Sequence, residues 1–497
     1  MSYTVFVPEI LVLITACIVL FGEWAFKSVD RNREKRNTNI GLVAMLGLIA
    51  TLGVLVAFKV TNFTLPTSFY NSDEYSYYDT FVLDDFALYF KMIIVVSAIL
   101  TVMISFKYVN DRVRNSGEFY SLLCMATLGA MFMASANEMI TLYLGVELIS
   151  ISSYILCCFN KDKDKSSESG LKYFVVGGLS SALLLYGFSI LFGLTGSTQF
   201  SVIAPLLEKF TQPQLNTVLI IGIVMALAGL SYKIAAAPFH MWAPDVYEGA
   251  PTPVTAFLSV TSKIAGFAAV ARFLQIFNLE VSGKLVILIA IISVLTMCIG
   301  NFLSLIQRNI KRLFAYSSIA HAGYLLMGLI PMLSKGKMDD SASILYYLAA
   351  YTFMNIGCFG AIMYFAKYTG STEIDDFAGV ARKAPFVAFV FSCCLISLAG
   401  LPPFGGFTGK FYLFTAAVNS GYTWLAFIGA LNSVVSLYFY VKIIKVMYFA
   451  DPKETLNFEI PNAALATAIF LSLVGILVLF LLPYPFMQLA KMSTLGL

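Results

Sequence analysis

Four ionisable residues lie in the middle of long apolar runs: Glu147 within 142–151, Lys233 within 230–242, Lys263 within 260–266 and Lys410 at the end of 398–410. A charge at the centre of a bilayer costs about 2.5–3.5 kcal/mol on insertion scales and more in simulations. An apolar surrounding disfavours the charged form of an amine and of a carboxyl alike, and a nearby opposite charge restores it. A lysine whose glutamate partner moves therefore gains or releases a proton, so these residue types suit a proton relay. The plain alternatives are a static ion pair between Glu147 and Lys233 that fixes helix packing, and a snorkelling role for Lys410 near a helix end. Lys172 lies near the start of its run, where interface lysine and relay member are equal readings. Lys91 and Glu138 lie near run ends and read as interfacial.

The two histidines are His240 and His321. His321 sits in Tyr316-Ser-Ser-Ile-Ala-His-Ala-Gly-Tyr and fits either a proton carrier or a hydrogen-bonded packing residue; Ser317, Ser318 and Tyr316 beside it are suited to hold water. Two isolated histidines make no metal site. The eight cysteines all lie in apolar segments with no C-x-x-C spacing and no adjacent histidine, so they read as small packing residues.

Two of the apolar runs are interrupted, and each interruption pairs proline with a lysine. In the first, Lys233 precedes Pro238; in the second, Pro402, Pro403 and four glycines at 400–409 lead to Lys410. Proline removes a backbone donor and clashes with the preceding turn. Open backbone survives in a bilayer only where protein or water satisfies it, and paired broken helices recur in ion transporters.

The elements that position these residues are membrane helices. The chain of 497 residues is 59% hydrophobic and 12% charged, with a mean hydropathy of +0.82. Soluble domains carry about 25% charged residues, so the bilayer is the solvent here. Runs of roughly 20 apolar residues give about fourteen spans, at 4–24, 39–60, 82–106, 118–134, 138–159, 170–194, 216–238, 252–276, 284–305, 311–332, 343–366, 385–416, 423–449 and 463–484. Basic residues recur in alternate loops, including Lys27 to Arg36, Lys107 to Arg114, Lys161 to Lys165, Arg308 to Arg312, Arg382 with Lys383, and Lys442 to Lys453; the loop at 71–79 is acidic. The positive-inside rule puts the basic loops in the cytoplasm and both termini opposite. The first run, containing Pro8 and Glu9 with no preceding basic residue, reads as a retained span rather than a cleaved signal. The stretch 200–210 is amphipathic and fits an interfacial helix or a loop. The loops are too short for a soluble domain, and the net charge of +4 is spread over loops rather than gathered for nucleic acid.

At Gly145-Val-Glu147, Ser231-Tyr-Lys233, the run 238–251, Ser262-Lys263, Tyr316-Ser-Ser-Ile-Ala-His321 and Leu401-Pro-Pro-Phe-Gly-Gly-Phe-Thr-Gly-Lys410, the chain resembles the antiporter-like subunits shared by respiratory complex I and multi-subunit sodium/proton antiporters. The resemblance spans nearly the whole chain and is strongest to the subunit N (subunit 2) branch: lysine at 410 disfavours subunit M, and the short tail after the last span lacks subunit L's lateral helix. It implies an all-α multi-pass fold with two inverted five-helix repeats, 118–276 and 284–449, each with a broken helix, flanked by 1–106 and 463–484. The repeats are hard to see by direct comparison.

The resemblance further implies roles. Glu147 tunes Lys233, Lys263 relays on the central axis, Lys410 opens to the far side, and Lys172 and His321 assist. The implied function is proton translocation in the membrane arm of an NAD(P)H:quinone oxidoreductase. This chain then has no cofactor of its own: partner subunits carry FMN and iron–sulfur clusters and meet the quinone pool. Other membrane-arm subunits and the lipid bilayer are its partners, in a plasma membrane or a thylakoid. The rival readings are a subunit of a cation/proton antiporter or of a ferredoxin- or hydrogenase-linked pump, and a membrane scaffold with a vestigial channel.

Overall fold

The computed structural model describes residues 3–29, 32–61, 80–207, 213–277, 279–334, 342–452 and 458–494; the acidic loop at 71–79 lies outside them. In lipid every backbone polar group needs an internal partner, which a helix supplies, and the regular structure of the described residues is helical. Three helices open the chain: α1 (Val7–Val29), α2 (Arg33–Val60) and α3 (Asp85–Arg112). Next come α4 (Ser116–Ser135), α5 (Met139–Cys157), α6 (Asp164–Thr195) and a short α7 (Phe200–Leu207), which shows that the amphipathic stretch begins as a helix. The first broken span is α8 (Pro213–Ile234) followed by α9 (Trp242–Gly249). The following span is α10 (Thr252–Phe257), a π-helical turn (Leu258–Ser262) and α11 (Lys263–Leu274). Then follow α12 (Leu279–Leu305), α13 (Ile310–Met327), α14 (Ile330–Ser334) and α15 (Ala342–Thr369). The second broken span is α16 (Pro385–Ala399) with α17 (Gly405–Asn419), and α18 (Thr423–Phe449), α19 (Ala463–Leu481) and α20 (Pro483–Met492) close the chain.

Among the described residues, 13 helical stretches are long and apolar enough to cross a membrane. The fourteenth crossing expected at 385–416 is divided between α16 and α17, each too short to span alone, because the 400–404 segment cannot continue the helix. Gly400 there sits at φ +87°, a backbone region that favours glycine.

The two halves repeat in detail. Thr195-Gly-Ser-Thr-Gln-Phe200 after α6 and Thr369-Gly-Ser-Thr-Glu-Ile374 after α15 adopt one local structure, with Gly196 and Gly370 at φ +70° and +68°. Each forms an antiparallel bridge to the residue before the next-but-one helix partner, Gln199 to Glu138 ahead of α5 and Glu373 to Asn309 ahead of α13. The hydrogen bonds match: Met139 N to Thr198 O at 3.0 Å and Ile310 N to Thr372 O at 2.8 Å. Five crossings (α5, α6, α8, α10–α11 and α12) separate the start of α5 from the start of α13, so the same bridge lies at opposite ends of the bundle. This is the signature of inversion. The halves are therefore legible in the sequence after all, through the Thr-Gly-Ser-Thr tetrapeptide.

Close approach between helices uses small residues, as membrane packing requires. A Cβ on Gly129 of α4 would lie 2.5 Å from Ile149 N and 3.0 Å from Gly145 O; one on Gly300 of α12 would lie 2.4 Å from Ala320 N and 2.7 Å from Tyr316 O. The α4–α5 and α12–α13 pairs thus meet by the same contact. The span Thr252–Leu274 is wholly enclosed, whereas only 33% of the Asp164–Thr195 window is buried; the centre of the molecule is where Lys263 stands.

Lys91, near its run end, is enclosed by protein. It is fully buried on α3 and ion-paired at 2.7 Å to Glu9 of α1. Beside it Asp84 caps α3 by accepting from Ala87 N and grips Arg272 of α11 with both oxygens, at 2.7 and 2.6 Å. Glu138 is half-buried, accepting from Thr141 and Thr198.

Candidate proton path

Lys233 occupies the last turn of α8, where the helix stops and the chain turns through Ala235 at φ +56°. Its Nζ is buried and donates to Ser150 Oγ on α5 at 3.0 Å, above the Tyr173 ring. Glu147 is one turn away on the same face of α5, and its buried Oε1 has no protein hydrogen-bond partner. The two are therefore not locked as a contact ion pair. Glu147 acts on Lys233 through space, and a serine takes the direct contact.

The carbonyls freed at each break are met by a side chain from beyond it. In the first break Trp242 Nε1 donates to Tyr232 O at 3.0 Å. In the second, Lys410 Nζ donates to Leu398 O at 2.9 Å and Ala399 O at 3.0 Å, and to Ser433 Oγ at 2.8 Å. Helix C-termini carry partial negative charge and favour a cation, so α16 holds the Lys410 ammonium without a carboxylate. The Tyr324 ring lies 4.7 Å from its Nζ.

Lys263 follows the π-helical turn, a distortion that is frequent at functional sites, and donates to the Ser318 carbonyl on α13. Ser318 Oγ accepts from Tyr351 at 3.0 Å and lies 3.4 Å from Tyr247 Oη. One turn on, His321 Nδ1 is 2.5 Å from Tyr347 Oη and Nε2 is 3.2 Å from Tyr440 Oη, and Tyr440 also bonds Ser317. The structure thus brings Glu147, Lys233, Lys263, His321 and Lys410 into one buried polar band with hydroxyl groups between them. Tyr173 Oη and Ser262 Oγ, in the gap between Lys233 and Lys263, are buried without a protein partner; such groups are sites for bound water.

Lys172 stands apart. Its side chain is 44% exposed and pairs with Glu168 and Asp245, both at 2.7 Å. Asp245 and Glu248 of α9 also bind Arg312 at 2.6 and 3.2 Å, so this network pins α9 to α6 and α13. Ser317 and Ser318 join the band as their position suggested, but their aromatic partners come from other helices: Tyr347 and Tyr351, four residues apart on α15, Tyr247 on α9 and Tyr440 on α18. That spacing on α15 is the signal the sequence offers for them, among 27 tyrosines. Among the described residues no three His, Cys, Asp or Glu side chains gather as for a metal ion.

Residues 136–436 match the family described as NADH:quinone oxidoreductase/Mrp antiporter, TM. NADH-quinone oxidoreductase subunit N of Trichlorobacter lovleyi is 44% identical over 454 residues, 91% of each chain. Its namesake in Desulfitobacterium hafniense is 43% identical over 459 residues, 90% of each. A chain of respiratory complex I from Thermus thermophilus with bound aureothin superposes with a TM-score of 0.76 at 27% identity, over 97% of this chain and 99% of that one. With a matching family profile over most of its length and a polar band buried between two broken helices, the chain belongs to the NADH:quinone oxidoreductase/Mrp antiporter membrane-subunit family, in its NADH-quinone oxidoreductase subunit N branch.

Proposed function

We propose that this chain moves protons across the membrane along the band Glu147, Lys233, Lys263, His321, Lys410, driven by quinone reduction in partner subunits. The observation that carries the reading is that each of the three lysines is buried yet held by neutral oxygens rather than a carboxylate: Ser150 for Lys233, the Ser318 carbonyl for Lys263, and two carbonyls with Ser433 for Lys410. A buried ion pair with ideal partners is a static device, and breaking it is strongly destabilising. An amine on neutral oxygens keeps up to two donated hydrogen bonds whether or not it carries the extra proton; Lys410, which donates three as an ammonium, exchanges the one to Ser433 for an accepted bond or gives it up. Glu147 stands close enough to favour the charged form of Lys233 without trapping it.

The two inverted repeats, 118–276 and 284–449, place Lys233 before its break and Lys410 after its own, so one lysine serves each half and Lys263 joins them. The partners are the other membrane-arm subunits, which carry FMN and iron–sulfur clusters and meet the quinone pool. The basic loops face the cytoplasm and the termini the opposite side.

The test is proton pumping per electron by the assembled complex in vesicles. Lys233→Ala is expected to lower it by about a hundredfold, the scale lost with a positioned proton carrier, and Glu147→Ala to lower it less, because Glu147 tunes rather than carries. Pumping at the native level in both variants rules the roles out.

A further inference from the structure

A cavity of about 910 Å³ opens on the basic-loop side, walled by α2, α3, α15 and α19 and reaching Asn160, Lys163, Gly249, Ala250 and Lys311. Lys163, on its rim outside the spans, has its amine pulled below the ordinary value by burial and by Arg112. Lys311 is different in kind. It is buried, with 4% of its surface exposed, and has no place in the band described above. We propose that this cavity takes in protons from the basic-loop side and that Lys311 at its inner wall passes them to Lys233 along one face of α5, by way of water at Ser153. The proposal rests on Lys233 being a proton carrier.

Lys311 Nζ donates to Glu248 O at 2.8 Å and Ala250 O at 2.6 Å, the last carbonyls of α9. An ammonium has three N–H groups; two are used here and one is free. The neutral amine keeps two N–H groups for the same carbonyls and presents a lone pair in place of the third. Both protonation states therefore preserve both hydrogen bonds, and the group can load and unload without leaving its seat. The charged and titratable groups facing it are Glu248 of α9, Cys157 of α5, and Lys163 and Lys165 at the start of α6, so the local field is mixed and no carboxylate fixes the proton.

From Lys311 the route inward runs on α5. Glu147, Ser150, Ser153 and Cys157 recur at helical spacing and share a face. The Cys157 thiol stands near enough to both Lys311 and Lys233 for the charge of each to act on it. Ser150 holds the Lys233 amine. Ser153 lies between Ser150 and Cys157, fully buried, and its Oγ has no protein hydrogen-bond partner. A buried hydroxyl so placed is a water site. Three residues of helix rise about 4.5 Å, a gap one water bridges. In each transfer a hydronium in the cavity gives a proton to the Lys311 amine, leaving water and forming one N–H bond; the ammonium then yields a proton through water at Ser153 to the neutral Lys233 amine, which gains an N–H bond as the Lys311 amine is restored. Nothing is oxidised or reduced.

The rival role for Lys311 is simply to cap α9, as basic side chains do at helix ends. Lys311→Arg separates the two, because arginine keeps the charge and the donors for both carbonyls but does not give up its proton. Ser153→Val, remote from α9, fills the water site, while Ser153→Ala leaves it open. The measurement is proton pumping by the assembled complex in vesicles with the basic loops outward, alongside uncoupled quinone reduction as the control for assembly. Lys311→Arg and Ser153→Val are expected to pump about fivefold less or lower still, with uncoupled quinone reduction unchanged and Ser153→Ala close to native. Native pumping in either Lys311→Arg or Ser153→Val overturns the proposal. If Lys311→Arg does not assemble, Ser153→Val decides alone. Lys233→Ala, run in parallel, keeps the readings apart: no pumping there beside native pumping in Lys311→Arg removes only the intake route, whereas native pumping in Lys233→Ala removes the carrier itself.

Discussion

His321 shows how the second half of the band differs from the first. In the first repeat the second helix offers Glu147 and Ser150; in the second it offers Ser317, Ser318 and His321, ringed by Tyr347, Tyr351 and Tyr440. Imidazole with hydroxyls on both nitrogens can accept on one side and donate on the other. His321→Ala is expected to lower pumping by about tenfold or more, the lower range for loss of a proton-transfer group. Tyr347→Phe and Tyr440→Phe each remove one O–H and are expected to lower it less than His321→Ala. Pumping rates of the three variants in one vesicle preparation check the order; equal losses, or none, contradict a directional handover through the ring.

Helices α1 and α3 are joined by a buried charge pair rather than by apolar packing alone. Removing one member of a buried pair costs about 3–5 kcal/mol, while replacing both by apolar groups is often neutral. Glu9→Gln or Lys91→Met singly is therefore expected to lower the thermal stability of the complex well below that of the double variant Glu9→Leu with Lys91→Met. Single variants as stable as the native complex contradict the fastening role. The glycine contacts make a second point about elements. Gly300→Leu drives a side chain into the backbone of α13, an overpacking of about 1–3 kcal/mol or more, and it displaces the helix that holds Ser318 and His321. Its stability and its pumping are both expected to fall, whereas Gly283→Leu, on the same helix with open space around it, leaves both near native.

The whole molecule is defined by inversion across the bilayer. The 195–200 loop and the 369–374 loop are one structure at opposite ends, so one faces each side of the membrane. Asp162→Cys, exposed after α5, and Thr423→Cys, exposed at the start of α18, are expected to react with a membrane-impermeant thiol reagent from opposite sides, Asp162→Cys from the cytoplasm. Labelling both from one side contradicts the odd number of crossings between them.

Much of this was written in the chain. Hydrophobic run length sets the spans, because lipid offers the backbone no partner outside a helix. Pro238 and the Pro402–Pro403 pair mark the breaks, because proline cannot continue the ladder. Charges within apolar runs mark Glu147, Lys233, Lys263 and Lys410, because they are costly there. What the linear order could not supply was which side chain meets which. Lys91 reads as lying near a run end and Lys311 as part of a basic loop, yet both are buried, since burial depends on the helices packed around a residue. A static Glu147–Lys233 ion pair is one of two readings of the sequence, yet Ser150 takes the contact to Lys233, since hydrogen bonds are settled within a few tenths of an ångström by the packing. The tyrosines around His321 come from two helices, α15 and α18, well beyond it in the chain, and only their packing makes them its neighbours.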